Sequence, residues 1–191
     1  MNFEEYFSEF GKLVSYSQEI DEKLTKLASV FEACHARGNK IIVVGNGGSA
    51  AMASHVSVDL TKNAGVRAIN FNEADLITCL SNDRGYENWV VEALSLYADE
   101  GDVVVLISSS GNSPNIVNAA WWCANIENKV HLVTVTGGVK GPGNKTRAAG
   151  KHRALVDLWV DSKGYNIIEM VHHFWLLAVV DKIIGKSEYS A

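Results

Sequence analysis

Two uninterrupted apolar runs, Ile41-Ile42-Val43-Val44 after Lys40 and Val103-Val104-Val105-Leu106-Ile107 after Asp102, limit what this chain can fold into. A strand apolar at every position must be covered on both faces, whereas a half-exposed strand alternates apolar with polar. Each run leads into a Gly/Ser-rich turn and then a helical segment: Gly45-Asn46-Gly47-Gly48-Ser49 before residues 49–62, and Ser108-Ser109-Ser110-Gly111-Asn112-Ser113 before residues 113–126. Further strands are predicted over 66–71, 130–136 and 154–160, with helices over 72–80, 86–98 and 164–184. Apolar strands alternating with helices predict an α/β fold, with about five parallel strands and helices on both faces, a flavodoxin-like sandwich.

Ahead of this pattern, residues 2–37 predict one long helix, with Leu24, Leu27, Val30 and Phe31 at helical spacing and Gly38-Asn39 closing it. An α/β core does not need this helix, so its spare apolar face is a candidate oligomer surface. The expected organisation is a helical segment at 1–38 and the α/β domain at 39–191. Residues 137–151, rich in Gly, Lys and Asn, predict a loop with at most one helical turn.

At 191 residues the chain has the length of one ordinary domain. Its net charge of -5 argues against a general nucleic-acid binder. Any phosphate would therefore be held by backbone N–H groups and hydroxyls. Cys34, Cys79 and Cys123 show no CxxC spacing and predict reduced thiols, as in a reducing cytoplasm. The acidic start has no basic, then apolar, leader pattern, and no apolar run nears the roughly 20 residues that span a bilayer, so no membrane partner is expected. Trp121, Trp122, Trp159 and Trp175 predict core or subunit contacts, and His35, His131 and His152 lie apart from the chemistry.

Ligands of open parallel sheets sit at the carboxyl ends of the strands, where helix N-termini present free N–H groups. Both Gly/Ser turns fall there. The first is neither GxGxxG nor GxxxxGK[ST], so a small phosphorylated ligand is expected and a nucleotide cofactor is not. His55 and Asp59 are four apart on one predicted helix, as are Glu169 and His173 on another, with His172 three from Glu169. Two imidazoles and two carboxylates suit an acid/base pair or a divalent metal such as zinc. Lys62 and Arg67 either help neutralise a phosphate or belong to a solvated face.

The segment Val44-Gly45-Asn46-Gly47-Gly48-Ser49, followed by His55, Asn82-Asp83 and the run from Ile107 to Asn112, resembles the sugar isomerase (SIS) domain. Within it, the chain is similar to the phosphoheptose isomerase group over residues 40–185. The resemblance implies that Ser108, Ser109, Ser110 and Ser113 hold a phosphate. Asn46, Gly47, Gly48, Ser49, Asn82, Asp83 and Glu169 would then contact the sugar. It also implies aldose–ketose isomerisation of a heptose phosphate such as sedoheptulose 7-phosphate, with Asp59 and Glu169 at catalytic places, to which the helical spacing adds His173 as the catalytic imidazole. Zinc would be held by His55, Asp59, Glu169 and His173, with His172 as the alternative imidazole. A cytoplasmic homotetramer with shared sites is implied as well. The group carries His and Glu at the places of His55 and Asp59. On the closing helix it carries Gln, then His three and eight positions on. Here those places hold Glu169, His172 and Leu177. A sugar-phosphate-binding or regulatory protein acting through partners is the alternative.

Overall fold

The computed structural model describes residues 2–138, 143–151 and 153–188. The leading segment is two helices, α1 (Phe3–Val14) and α2 (Gln18–Ala36), instead of the single one expected. Ser15 is extended after α1, and the Ser17 side chain accepts the Ile20 N–H to cap α2. Serine competes for backbone bonds and favours such a boundary over helix interior.

The α/β part runs β1 (Ile41–Val44), α3 (Gly48–Lys62), β2 (Ala68–Asn70), α4 (Ala74–Arg84), α5 (Trp89–Tyr97), β3 (Val103–Ser108), α6 (Pro114–Ala124), β4 (His131–Gly137), α7 (Lys145–Gly150), β5 (Ala154–Val160) and α8 (Tyr165–Ile184). The sheet is parallel in the order β2-β1-β3-β4-β5. Ile41 pairs with Val103 and Val44 with Leu106, which sets the two apolar runs side by side at its centre.

Alternate residues of these strands serve opposite faces. Ile41, Val43, Val103 and Val105 join Leu27 and Phe31 of α2, Met52 and Leu60 of α3, and Trp175 and Leu176 of α8. Ile42, Val44, Val104 and Leu106 join Trp89 and Leu94 of α5 and Ile116 of α6. Fully burying each large aliphatic or aromatic side chain contributes about 1.5–3 kcal/mol, so this central pair of strands anchors both half-cores.

At the opposite end from the loops, Asp102 ties β1 to β3. One carboxylate oxygen accepts the Lys40 N–H at 3.0 Å, and the other accepts the Asp99 N–H at 2.8 Å and lies 2.6 Å from Lys40 Nζ. Lys40 Nζ also reaches Asp99 at 2.6 Å.

Several boundaries differ from expectation. Val66 and Phe71 are buried but outside the short β2 ladder. Helix α4 extends to Arg84 and ends at Gly85, whose φ of +84° suits glycine. In the segment expected as loop, β4 continues to Gly137, and Asn144 caps α7 by accepting the Arg147 N–H. Residues 139–142 and His152 lie outside the described residues. No helix among the described residues is long and apolar enough to cross a membrane. Cys34, Cys79 and Cys123 are unpaired.

Candidate active site

The chain moves from β1 outward to β2, then returns to place β3 on the other side of β1. This reversal opens a crevice between the loops that follow β1 and β3, the usual ligand position in this strand order. The two Gly/Ser loops flank it. Helices α1, α2 and α7 have side-chain N-caps from Asn2, Ser17 and Asn144, whereas α3 and α6, which follow the two loops, have none, as is also true of α4, α5 and α8. At α3 the N-cap is Gly47, at φ +55°, and at α6 Ser113 precedes Pro114. Uncapped N-termini leave N–H groups and the positive end of the helix dipole for an anion.

The serine loop is wound on itself. Ser108 Oγ accepts the Gly111 N–H at 3.1 Å and lies 3.5 Å from Ser113 Oγ, and Ser110 Oγ accepts the Asn112 N–H at 3.2 Å. A hydroxyl that accepts a backbone N–H keeps its own proton to donate to an anion. Gly111 has φ +66° and brings the loop back towards α6. Ser109 Oγ donates to Glu169 at 3.3 Å.

The first loop is tied to the second by a contact that the sequence reading missed. Asn46 and Asn115 exchange amide bonds at 2.9 and 2.8 Å, and Tyr86 Oη donates to Asn46 at 3.2 Å. Asn115 is fully buried in the first turn of α6. The available signal was an asparagine, a poor helix former, just inside a predicted helix start. Ser49 is buried beneath the loop, against Gly45.

Glu169, one turn into α8, stands where the loops meet. Its carboxylate touches Ser109 and occupies the space that a Cβ at Gly48 would fill. A Gly48→Ala protein should fold normally, because only the end of a flexible side chain must yield and alanine is the better helix former. Displacing the carboxylate by an ångström should still lower kcat/KM about a hundredfold. Steady-state kinetics beside a melting curve checks this, and unchanged kinetics would remove Glu169 from the chemistry.

One turn further, His173 Nε2 lies 2.9 Å from His55 Nδ1, and His55 Nε2 lies 3.3 Å from Asp59 Oδ2. Burial, together with the neighbouring His55, holds the His173 imidazole below its ordinary pKa, against the pull of Asp59. A neutral ring that can accept a proton is the result. His172 faces the other way. It is fully buried against the backbone of Thr136, with neither ring nitrogen in a well-formed hydrogen bond, and burial pushes its pKa down to about 4. Asn82 and Asp83 bond to each other at 3.0 Å on the exposed last turn of α4.

Imidazoles and carboxylates are suitable zinc donors, but here they do not converge. His55 turns one nitrogen to His173 and the other to Asp59, while Glu169 engages Ser109. No group of three such residues among those described could hold an ion. This arrangement does not fit a metal, and the chemistry below uses the side chains alone. A cavity of about 410 Å³ lies elsewhere, between α7 and the β4–β5 edge, where Arg147 and Asp157 are paired with each other.

A family profile described as the SIS domain matches residues 5–137. The probable phosphoheptose isomerase of Thermoplasma acidophilum is 34% identical, over 79% of this chain and 81% of its own length. The chain belongs to the SIS-domain family, among the phosphoheptose isomerases. A phosphoheptose isomerase of Fusobacterium nucleatum is 28% identical over 96% of this chain and 95% of its own. The structure of the phosphoheptose isomerase from Neisseria gonorrhoeae superposes with a TM-score of 0.81 at 28% identity, covering 95% of this chain and 96% of that one. The likeness spans the added helices α1 and α2 as well as the SIS core.

Proposed function

We propose that this chain interconverts the ketose and aldose forms of a phosphorylated sugar, with sedoheptulose 7-phosphate as the first substrate to test. The observation that carries this reading is Glu169 at the junction of the two loops, with His173 one turn on along the same helix. The serine loop and the start of α6 hold the phosphate: Ser108, Ser110 and Ser113 donate hydroxyl protons, and the helix N-terminus supplies positive potential. Asn46, Gly47 and Gly48 line the sugar's path, with Ser49 beneath them supporting the loop and Asn82 and Asp83 at the outer side.

Isomerisation removes a proton from the carbon beside the carbonyl, returns one to the neighbouring carbon, and moves a hydroxyl proton between the two oxygens. The reacting end of a long sugar is several carbons from its phosphate, and the four residues from Glu169 to His173 advance about 6 Å along α8. Glu169 and His173 are therefore assigned the proton transfers. Asp59, through His55, holds the His173 ring in one tautomer and orientation.

Incubation with sedoheptulose 7-phosphate in deuterated water, with and without added zinc, tests the assignment. Isomerised product with deuterium at the exchanged carbon is expected in the absence of zinc. No turnover and no exchange under either condition would leave a sugar-phosphate-binding protein. Turnover that appears with zinc would instead support the metal set His55, Asp59, Glu169 and His173.

The same reading takes the chain as a cytoplasmic homo-oligomer, a tetramer, with residues 1–38 in subunit contacts. Exposed Phe3 and Phe7 of α1, and Met170 and Phe174 of the adjoining α8, support it.

A further inference from the structure

The phosphate loop does not hold its shape alone. Residues 144–146, at the start of α7, grip it through its turn at Gly111 and Asn112. Thr146 donates twice to the Gly111 carbonyl, from its N–H at 2.9 Å and its Oγ1 at 2.8 Å. The Lys145 N–H donates to Asn112 Oδ1 at 3.1 Å. The Asn144 amide is anchored to the end of β4, on Thr136 Oγ1 at 3.0 Å and the Gly137 carbonyl at 3.3 Å. Its side chain also occupies the space that a Cβ at Gly111 would need. Asn144 and Thr146 are both fully buried.

We propose that Thr146, backed by Asn144, is a positioning residue for phosphate recognition: it holds the Gly111 carbonyl away from the anion. The reason is electrostatic. Gly111 is the sharp turn of the loop, at φ +66°, between the serine hydroxyls and the helix that together receive the phosphate. A carbonyl oxygen free to rotate there would present negative charge to a dianion and would turn away the Asn112 N–H, in the same peptide unit, that aims Ser110. Two donors on one carbonyl fix it outward. This assignment rests on the phosphosugar reading of the loop and adds a residue that the loop motif does not contain.

The test uses the whole chain, with two probes: sedoheptulose 7-phosphate for kinetics and inorganic phosphate for calorimetric binding. Thr146→Val keeps the volume and the backbone N–H but removes the hydroxyl donor. It should raise KM and weaken inorganic phosphate binding in parallel, each about tenfold, with kcat changed less than about threefold. Thr146→Ser restores the donor and should return both to within about twofold of the parent.

A residue that only supports the fold would lower Tm and the active fraction, so kcat would fall with KM and phosphate affinity unchanged. That pattern, or a serine variant no better than the valine one, overturns the proposal. If the parent protein binds neither probe, the phosphosugar reading fails and this proposal with it. If the parent binds both and Thr146→Val binds equally well, the positioning role alone fails.

Discussion

Glu169→Gln should lower kcat by about a thousandfold while changing sugar-phosphate affinity less than about threefold. The replacement has the same shape, so it fits against Gly48 and can still accept the Ser109 hydroxyl, but it cannot take a proton. The family resemblance places glutamine here together with a histidine eight residues on. In this chain that later place is Leu177, which packs against the core below α8. The Glu169→Gln variant would therefore have neither the carboxylate nor the distal imidazole. Steady-state kinetics with calorimetric binding separates the two quantities. A fall of less than tenfold in kcat would mean that Glu169 only holds a hydroxyl and that His173 carries both proton steps.

Asp102→Ala should destabilise the fold by about 3–5 kcal/mol, because it removes one partner of a buried ion pair and leaves the other charged. The Lys40 side chain is only 10% exposed and that of Asp102 1%. Asp99 remains as a second partner for Lys40, which places the expectation at the lower end of the range.

The pair also fixes the pH dependence. Burial by itself would raise the Asp102 pKa, but the bonds from Lys40 and the Asp99 backbone hold it below the usual carboxylate range. Its contribution is thus present above about pH 4 and is lost as acid takes the pH through the lower folded value. Lys40 is the mirror case. Burial alone would lower its pKa, but Asp102 and Asp99 raise it, so its contribution persists below about pH 10 and fades above its raised folded value. Urea unfolding from pH 3 to 8 should show a parent whose stability declines at the acid end and an Asp102→Ala protein that lacks this part of the decline. Equal stability of the two at pH 7 would mean that the lysine escapes to solvent without cost.

The sheet was legible because its signal is local. An all-apolar run such as Val103–Ile107 can be satisfied in few ways, and the glycines and serines after it mark the turn. The break at Ser15–Ser17 was equally local but was masked by apolar spacing that continues on both sides of it. The site was less legible, because it depends on which way side chains turn. Spacing put Glu169, His172 and His173 together. The fold sends His172 into the core and His173 towards His55, and sets Glu169 a turn away, against Ser109. The Asn46–Asn115 exchange and the Thr146 grip on Gly111 join residues 69 and 35 positions apart. No periodicity reports such contacts.

The division of the core between the two faces of the sheet has a consequence for how such a protein can diverge. Helix α6, to which the proposed function assigns the phosphate, is packed on one face, while α3 and α8, which carry His55, Asp59, Glu169 and His173, are packed on the other. On that reading, inherited changes that repack α3 against α8 while sparing the Glu169–Ser109 contact can alter which sugar reacts, or by what proton route, without repacking α6. A scaffold divided in this way suits metabolites that are alike at the phosphorylated end and different at the other.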